Sequence, residues 1–243
     1  MLPVINEIST FKIAIPSTKE KLEFRPYYVK EEKALLIAYE SQDQEQILSC
    51  LKNIIIACCV GTISVDRLTL FDLEYIFTQL RAKSVGETSQ LRIKCQGPGT
   101  KGSEEKCETP NDITINLLDI KLDKLPDNNI KLSENFTAVL RYPSYLDAKE
   151  ITTSKEDITA VDLLFNVTAR CIDHIKGPEE RFDFSEYTLP EIEDWLNKLK
   201  PIQLENMLNF IKDIPEMYYD VEYTCTKCGH VNKHKLKGIT DFF

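Results

Sequence analysis

"YTCTKCGHVNKHKLKGITDFF", residues 223–243, carries a Cys-x-x-Cys pair, Cys225 and Cys228, followed directly by Gly229. Two thiols this close serve a metal, a redox reaction or a disulfide, and the flanking residues decide between them. A redox dithiol of the thioredoxin type opens a helix, whose N-terminus lowers the thiol pKa. Here the pair ends the alternating run "YDVEYTC" and leads into "HVNKHKLKG", so it reads as the tip of a β-hairpin. A second pair shares that context: Cys95 ends "SQLRIKC", and Cys107 follows the loop "QGPGTKGSEEK" and precedes "DITINLLDIKL". Zinc takes four tetrahedral ligands and favours thiolates in structural sites. Cys95, Cys107, Cys225 and Cys228 are therefore expected to hold one structural zinc in a zinc-ribbon-like element built from two hairpins. The long loop between Cys95 and Cys107 departs from a regular knuckle, so paired thiols without metal and a redox dithiol stay open as alternatives. His230 is an alternative ligand. His234 is expected on a basic outer face with Lys233, Lys235 and Lys237, and His174 as a favourable charge at a helix end.

The other four cysteines read as small core residues. Cys50, Cys58 and Cys59 lie in "ILSCLKNIIIACCV", and Cys171 lies in "DLLFNVTARCIDHI". A metal shared between pairs more than a hundred residues apart would clamp the middle of the chain to its end, and the stretch between would leave and return at one place.

Around these pairs the sequence predicts an α+β fold, with helices packed on short antiparallel β-hairpins. "TFKIAIP" and "KLEFRPY" form a hairpin around "STKE". "VKEEKALLIAYES" and "DQEQILSCLKNIIIACC" are two helices joined at Ser41 and Gln42. "TLFDLEYIFTQLRAKSVG" is a third, with Leu70, Leu73, Ile76, Phe77 and Leu80 at helical spacing and Gly86 as its stop. Asp66, Asp72 and Glu74 read as solvated or capping groups. Ser154 and Asp157 resemble a capping box before "ITAVDLLFNVTARCIDHI", with Leu164 and Phe165 on its buried face. "KGPEERFDFSEYT" is a connector and a contact surface, and Pro190 and Pro201 open a last helical pair. No internal repeat is read in the chain. One domain over 1–243 is expected: a hairpin and helices in 1–86, zinc-ribbon-like hairpins in 87–120 and 218–243, and a mainly helical insertion in 121–217.

With 42% hydrophobic and 28% charged residues, the 243-residue chain has the composition of a globular protein. Its net charge of -9 opposes nucleic acid as the main partner, because phosphate binding needs a basic surface. "MLPVINEIST" lacks a secretory leader pattern, and no apolar run reaches membrane-span length, so a reducing cytoplasm is expected. No phosphate-binding glycine loop, G-x-S-x-G elbow or H-E-x-x-H occurs, so no enzyme and no small-molecule substrate are expected. Arg25-Pro26-Tyr27 and Arg141-Tyr142-Pro143 read as strand-end packing features.

Four blocks, "FKIAIPSTKEKLEFRPYYVKEEKALLIAYES", "LFDLEYIFTQLRAKSVGE", "AVLRYPSY" and "CTKCGH…LKGITDFF", resemble in order the baseplate protein family of T-even-type bacteriophages. The resemblance implies a structural or assembly role at the baseplate hub, either within the virion tail or as a transient chaperone in the host cytoplasm. It implies other hub proteins as partners and no catalysis. The contact surfaces expected are the "RPYYVKEEK" block, the acidic loop near Phe182 and Phe184, and the aromatic tail, unless Ile239, Phe242 and Phe243 fold back on the chain's own core. The rival reading is a zinc-ribbon adaptor for nucleic acid or a transcription complex, supported by Lys233, Lys235 and Lys237 alone.

Overall fold

A computed structural model describes residues 9–98, 106–153 and 159–242. Strands β1 (Phe11–Ala14) and β2 (Lys21–Phe24) form a hairpin, followed by helices α1 (Val29–Glu40), α2 (Gln44–Cys58) and α3 (Leu70–Ser84). Next come β3 (Thr88–Lys94), β4 (Pro110–Asn116), β5 (Lys121–Leu122), β6 (Asn129–Lys131) and β7 (Thr137–Leu140). Then follow α4 (Tyr145–Thr153), α5 (Ala160–Cys171), β8 (Ile172–Lys176), β9 (Arg181–Asp183), α6 (Leu189–Leu196) and α7 (Pro201–Lys212). The closing hairpin is β10 (Met217–Thr224) and β11 (Val231–Lys237). All strand pairs are antiparallel, so the fold is the mixed helix-and-hairpin class that the periodicities indicate.

The chain forms two compact units. One comprises Met1–Ile63, Phe71–Asp123 and Glu216–Phe243; the other comprises Ser64–Leu70 and Lys124–Pro215. In the first, β10 pairs with both β11 and β5, and Asp123 N–H donates to the Glu216 carbonyl at 3.1 Å. Its hairpins bury Ile115, Leu117, Met217, Val221, Tyr223 and Phe242 together. The second unit is a four-stranded sheet in the order β6-β7-β8-β9, whose Ala138, Leu140 and Ile175 pack with Ile192 and Leu196 of α6 and Met207 and Phe210 of α7.

Several expectations need correction. "CIDHI" does not continue α5: the helix stops at Cys171, whose carbonyl accepts the Arg141 N–H at 2.7 Å, and Ile172–Lys176 becomes a central strand. His174 is therefore a buried strand residue beside Asp173 (2.6 Å), with no helix end to complement. The residues Ser154 and Asp157 lie outside the described residues; α5 is capped instead by Thr159 and Asp162. On α5 the fully covered positions are Thr168, Ala169 and Cys171, while Leu164 and Phe165 are half-buried. Asp72 is not solvated: it is wholly buried and accepts from Ser17 N–H (2.9 Å) and Oγ (2.6 Å).

The reading without an internal repeat is also overturned. In each unit a hairpin is followed by an arginine, a helix pair ending in a buried cysteine, and an antiparallel return. Arg25 and Arg141 each pair with the acid six residues on, Glu31 at 3.0 Å and Asp147 at 2.6 Å. Each also donates to the carbonyl of its own next residue, Pro26 or Tyr142. That acid accepts the N–H three residues before it, from Tyr28 or Ser144, at 2.8 Å in both cases. The arginine N–H itself donates to the carbonyl of Cys58 or Cys171, and the bridges Phe24↔Cys59 and Leu140↔Ile172 follow. Each cysteine is 0% exposed, and burial pushes both thiols up, to about 11 and about 12. One turn of 3-10 helix and a Thr-Leu pair then open the next helix, as "TLFDLE" and "TLPEIE".

"RPYYVKEEK" is thus partly internal, with Val29, Lys30 and Lys33 exposed. Tyr27 and Glu31 are buried, and Arg25 lies over the Tyr28 ring at 4.5 Å. Breaking a buried pair strands a charge, at a cost on the order of 3 kcal/mol. Glu31→Ala should lose about that much in urea unfolding. Asp147→Ala should lose less, because Arg141 is 42% exposed against 15% for Arg25 and can turn to water. Equal losses would contradict this ranking.

Candidate metal centre

The two hairpins β3–β4 and β10–β11 bring their tips together, and all four expected cysteines meet there. Their Sγ atoms lie within 4.8 Å of one another, with Cys95–Cys228 at 3.6 Å and Cys107–Cys225 at 3.9 Å. Thiolates at the corners of a tetrahedron around zinc, ~2.3 Å from the ion, stand about 3.8 Å apart. All eight cysteines are free thiols. Cys58 and Cys171 are core residues as expected, and Cys50 and Cys59 are half-buried.

Backbone bonds shape each tip. In the second, Cys225 N–H donates to the His230 carbonyl (2.8 Å) and Gly229 N–H to the Cys225 carbonyl (3.0 Å). Gly229 has φ +70°, which glycine adopts without steric cost. In the first, Cys95 N–H donates to Thr109 (2.9 Å), Cys107 N–H to Gly97 (2.8 Å) and Glu108 N–H to Cys95 (3.1 Å). The residues Cys95 and Cys107 therefore make a knuckle despite the loop between them. His230 is not one of the clustered ligands; its ring lies on Gly97, where a Cβ would approach His230 Cγ to 2.3 Å.

Two asparagines missed in the sequence complete the site. Asn111 Nδ2 donates to the Thr109 carbonyl (2.8 Å) and to Cys225 Sγ (3.7 Å), while its Oδ1 accepts Thr226 N–H (3.0 Å). Asn232 repeats this from the other hairpin: Nδ2 to the His230 carbonyl (3.1 Å) and Cys95 Sγ (3.4 Å), Oδ1 from Gln96 N–H (2.9 Å). Each asparagine stands four residues after the second cysteine of its own pair and reaches the first cysteine of the other. Both are buried. The signal was present as "CETPN" and "CGHVN".

The donor set suits a cation. The backbone N–H groups of Cys228 and Lys227, with Asn111, draw the Cys225 thiol down to about 6. The hydroxyl and N–H of Thr109 lower Cys107. At Cys228 the His230 N–H favours the thiolate, but desolvation and the other three thiols outweigh it and push the group up to about 12. Four thiolates this close repel one another until a positive ion lies between them. Outer-shell partners are worth roughly 10–100-fold in metal affinity. Asn111→Ala and Asn232→Ala should each loosen a bound metal by about that factor in chelator competition. Wild-type affinity in both would assign the asparagines to folding alone.

The basic face expected on β11 is neutralised. Lys233 pairs with Glu222 (3.0 Å), Lys235 with Asp123 (3.6 Å) and Lys237 with Glu216. His234 points to the opposite side of the strand and stacks on Tyr223 at 5.8 Å.

The chain is thus of mixed α/β build, with four cysteines from its middle and its end brought together. The chain matches the family described as T4 bacteriophage base plate protein over residues 8–243, and it belongs to that family. It is 24% identical over 237 residues to the baseplate hub assembly protein gp26 of Enterobacteria phage T4, covering 96% of this chain and 97% of that protein. No solved structure matches the chain.

Proposed function

We propose that this protein acts in assembly of the phage baseplate hub through contacts with other baseplate proteins, and that Cys95, Cys107, Cys225 and Cys228 hold one structural zinc in a ribbon-like pair of hairpins. Family membership across nearly the whole chain carries the first half of the reading. The grouping of four thiols within 4.8 Å of one another supports the second. When bound, zinc would supply cross-linking of the two hairpins and no reaction. The role is one of shape: the centre would tie the β3–β4 and β10–β11 hairpins of the first unit together at their tips. The nucleic-acid adaptor loses its support, because its three lysines are paired with carboxylates.

The three contact surfaces read from the sequence keep most side chains exposed or half-exposed, Val29 and Tyr187 among them, and lose a few aromatic rings to the interior. Phe242, Phe184 and Tyr27 are buried. Phe182 is 37% exposed. Affinity-tagged protein expressed during infection should retain baseplate proteins at stoichiometric levels. Tagged protein that emerges alone, under conditions where the hub assembles, sinks the assembly reading.

A further inference from the structure

The second unit has a groove of about 650 Å³ beside its β6–β7 turn. In the first unit the β1–β2 turn is latched to the start of α3, because Ser17 donates twice to Asp72. The corresponding residues are Ser133, in the β6–β7 turn, and Glu191, the same acid in "TLPEIE". Both line the groove, and among the described residues they share no hydrogen bond. Ser133 Oγ accepts instead from the N–H groups of Asn135 (3.3 Å) and Phe136 (3.2 Å), and Glu191 is taken up by Thr188 N–H (2.8 Å). The turn and the helix therefore stand apart, and aromatic side chains line the gap between them.

Those side chains are Phe136, Phe182 and Tyr187, which are 40%, 37% and 49% exposed, with Trp195 and the buried Phe184 behind them. Phe184 meets Trp195 edge-on at 5.2 Å and Tyr187 at 5.9 Å, so the wall is fixed by ring packing. Tryptophan, tyrosine and phenylalanine in one recess, surrounded by polar residues, is the composition of a binding hot spot. The surrounding charge is mainly negative, with Lys198 the one cation among the lining residues. Residues 179–194 hold Glu179, Glu180, Asp183, Glu186, Glu191, Glu193 and Asp194 against the single Arg181. Arg181 is engaged by Asp183 and Asp173. Glu179, Glu180, Glu186 and Asp194 are exposed and, among the described residues, take part in no ion pair.

We infer that this groove docks a basic segment of a partner protein, which inserts a large apolar side chain between Phe182 and Trp195 and sets lysines or arginines against the acidic rim. The inference rests on the assembly reading for the existence of such a partner. The rim selects the occupant: carboxylates extend along the segment well beyond the recess, which suits an extended or helical peptide rather than a small apolar molecule. Charge of this kind steers encounter and selects partners, while the aromatic recess supplies the affinity.

Trp195 is the only tryptophan of the chain and lines the groove, so its fluorescence reads occupancy directly. The probe is a tryptophan-free 14-residue peptide of lysine and leucine with one central phenylalanine, titrated into the full-length protein. Saturable change in Trp195 emission is expected, weakened by salt. A peptide with glutamate at every lysine should bind at least about tenfold more weakly. The variants Phe182→Ala and Glu186→Lys/Asp194→Lys change exposed side chains; each should lose about tenfold in affinity at unchanged melting temperature. Three results would overturn the inference: unmoved Trp195 emission, equal binding of the acidic peptide, or wild-type affinity in both variants. Shielding of Trp195 by concentration-dependent self-association would reassign the groove to a second copy. The titration uses no phage protein, so peptide binding without retention of baseplate proteins defeats the assembly reading alone, and the converse defeats this one alone.

Discussion

Cys225→Ser should abolish stoichiometric zinc binding and lower the melting temperature of the protein more than any other single change at the hairpin tips. Elemental analysis of the wild type should give about one zinc per chain. Cys225 accepts an asparagine N–H from the other hairpin and sits 3.9 Å from Cys107, so its loss opens the tetrahedron and removes a cross-brace at once. Structural zinc in small domains contributes about 10–16 kcal/mol of apparent binding free energy, most of it folding free energy. The unit here also has an apolar core of its own, so part of that stabilisation should disappear without complete unfolding. Cys58→Ser is the control. Cys58 is fully buried and its replacement should destabilise the chain, yet zinc content should stay at one. Metal-free wild type that is equally stable would remove the zinc reading. Chelation should mimic Cys225→Ser in the wild type and have no further effect on the variant.

The four thiols were legible because a cysteine that ends a strand pattern differs visibly from one inside a helical stripe. The asparagines were not legible, since asparagine near a turn ordinarily serves the turn itself. Only the spacing shared by "CETPN" and "CGHVN" marks them, and that spacing acquires meaning once the two tips are known to face each other. The hairpins and the first three helices follow from periodicity in the ordinary way. Ile172 and Ile175 misled because a three-residue spacing fits a helix and a regular strand alternates every two; the register shift that leaves Asp173 unpaired breaks that alternation. What decides the matter is a distant partner: the Arg141 N–H that takes the Cys171 carbonyl.

The repeat was hidden for a related reason. Arg25 and Arg141, Cys58 and Cys171, and Thr69 and Thr188 correspond in structure, but the spacing between members differs at each step, so no fixed period exists to detect. What recurs is a set of backbone tasks. An arginine caps its own next carbonyl, an acid closes the following helix, and a buried cysteine carbonyl receives the arginine N–H. Arg25 and Tyr27 looked like surface residues for the same reason: charged and aromatic residues suggest contacts until a local ion pair and burial are seen to consume them.

Phe242→Ala should cost about 3–5 kcal/mol, the range for removing a buried phenylalanine from a core. Two phenylalanines at 242 and 243 would be a solubility burden if free, and the sequence left open whether they fold back or anchor a partner. Phe242 is 0% exposed and packs with Ala82, Ile115, Leu117, Met217 and Tyr223, so it is core; Phe243 lies outside the described residues. The local chain is built to deliver it. Gly238, at φ +67°, donates to the Met217 carbonyl (3.0 Å), Asp241 accepts the Lys237 N–H (2.8 Å), and Phe242 N–H closes the turn on Ile239 (3.2 Å). Each 1 kcal/mol moves the melting temperature of a chain this size by about 2–4 °C, so the variant should melt on the order of 10 °C lower. Truncation before Asp241 should cost at least as much. Zinc stoichiometry should survive both changes, because the cavity lies under β10 and not at its tip, which separates this loss from that of Cys225→Ser. A variant that melts with the wild type while failing to retain baseplate proteins would return the tail to the role of an anchor, and the buried position of Phe242 would then have to be a resting state.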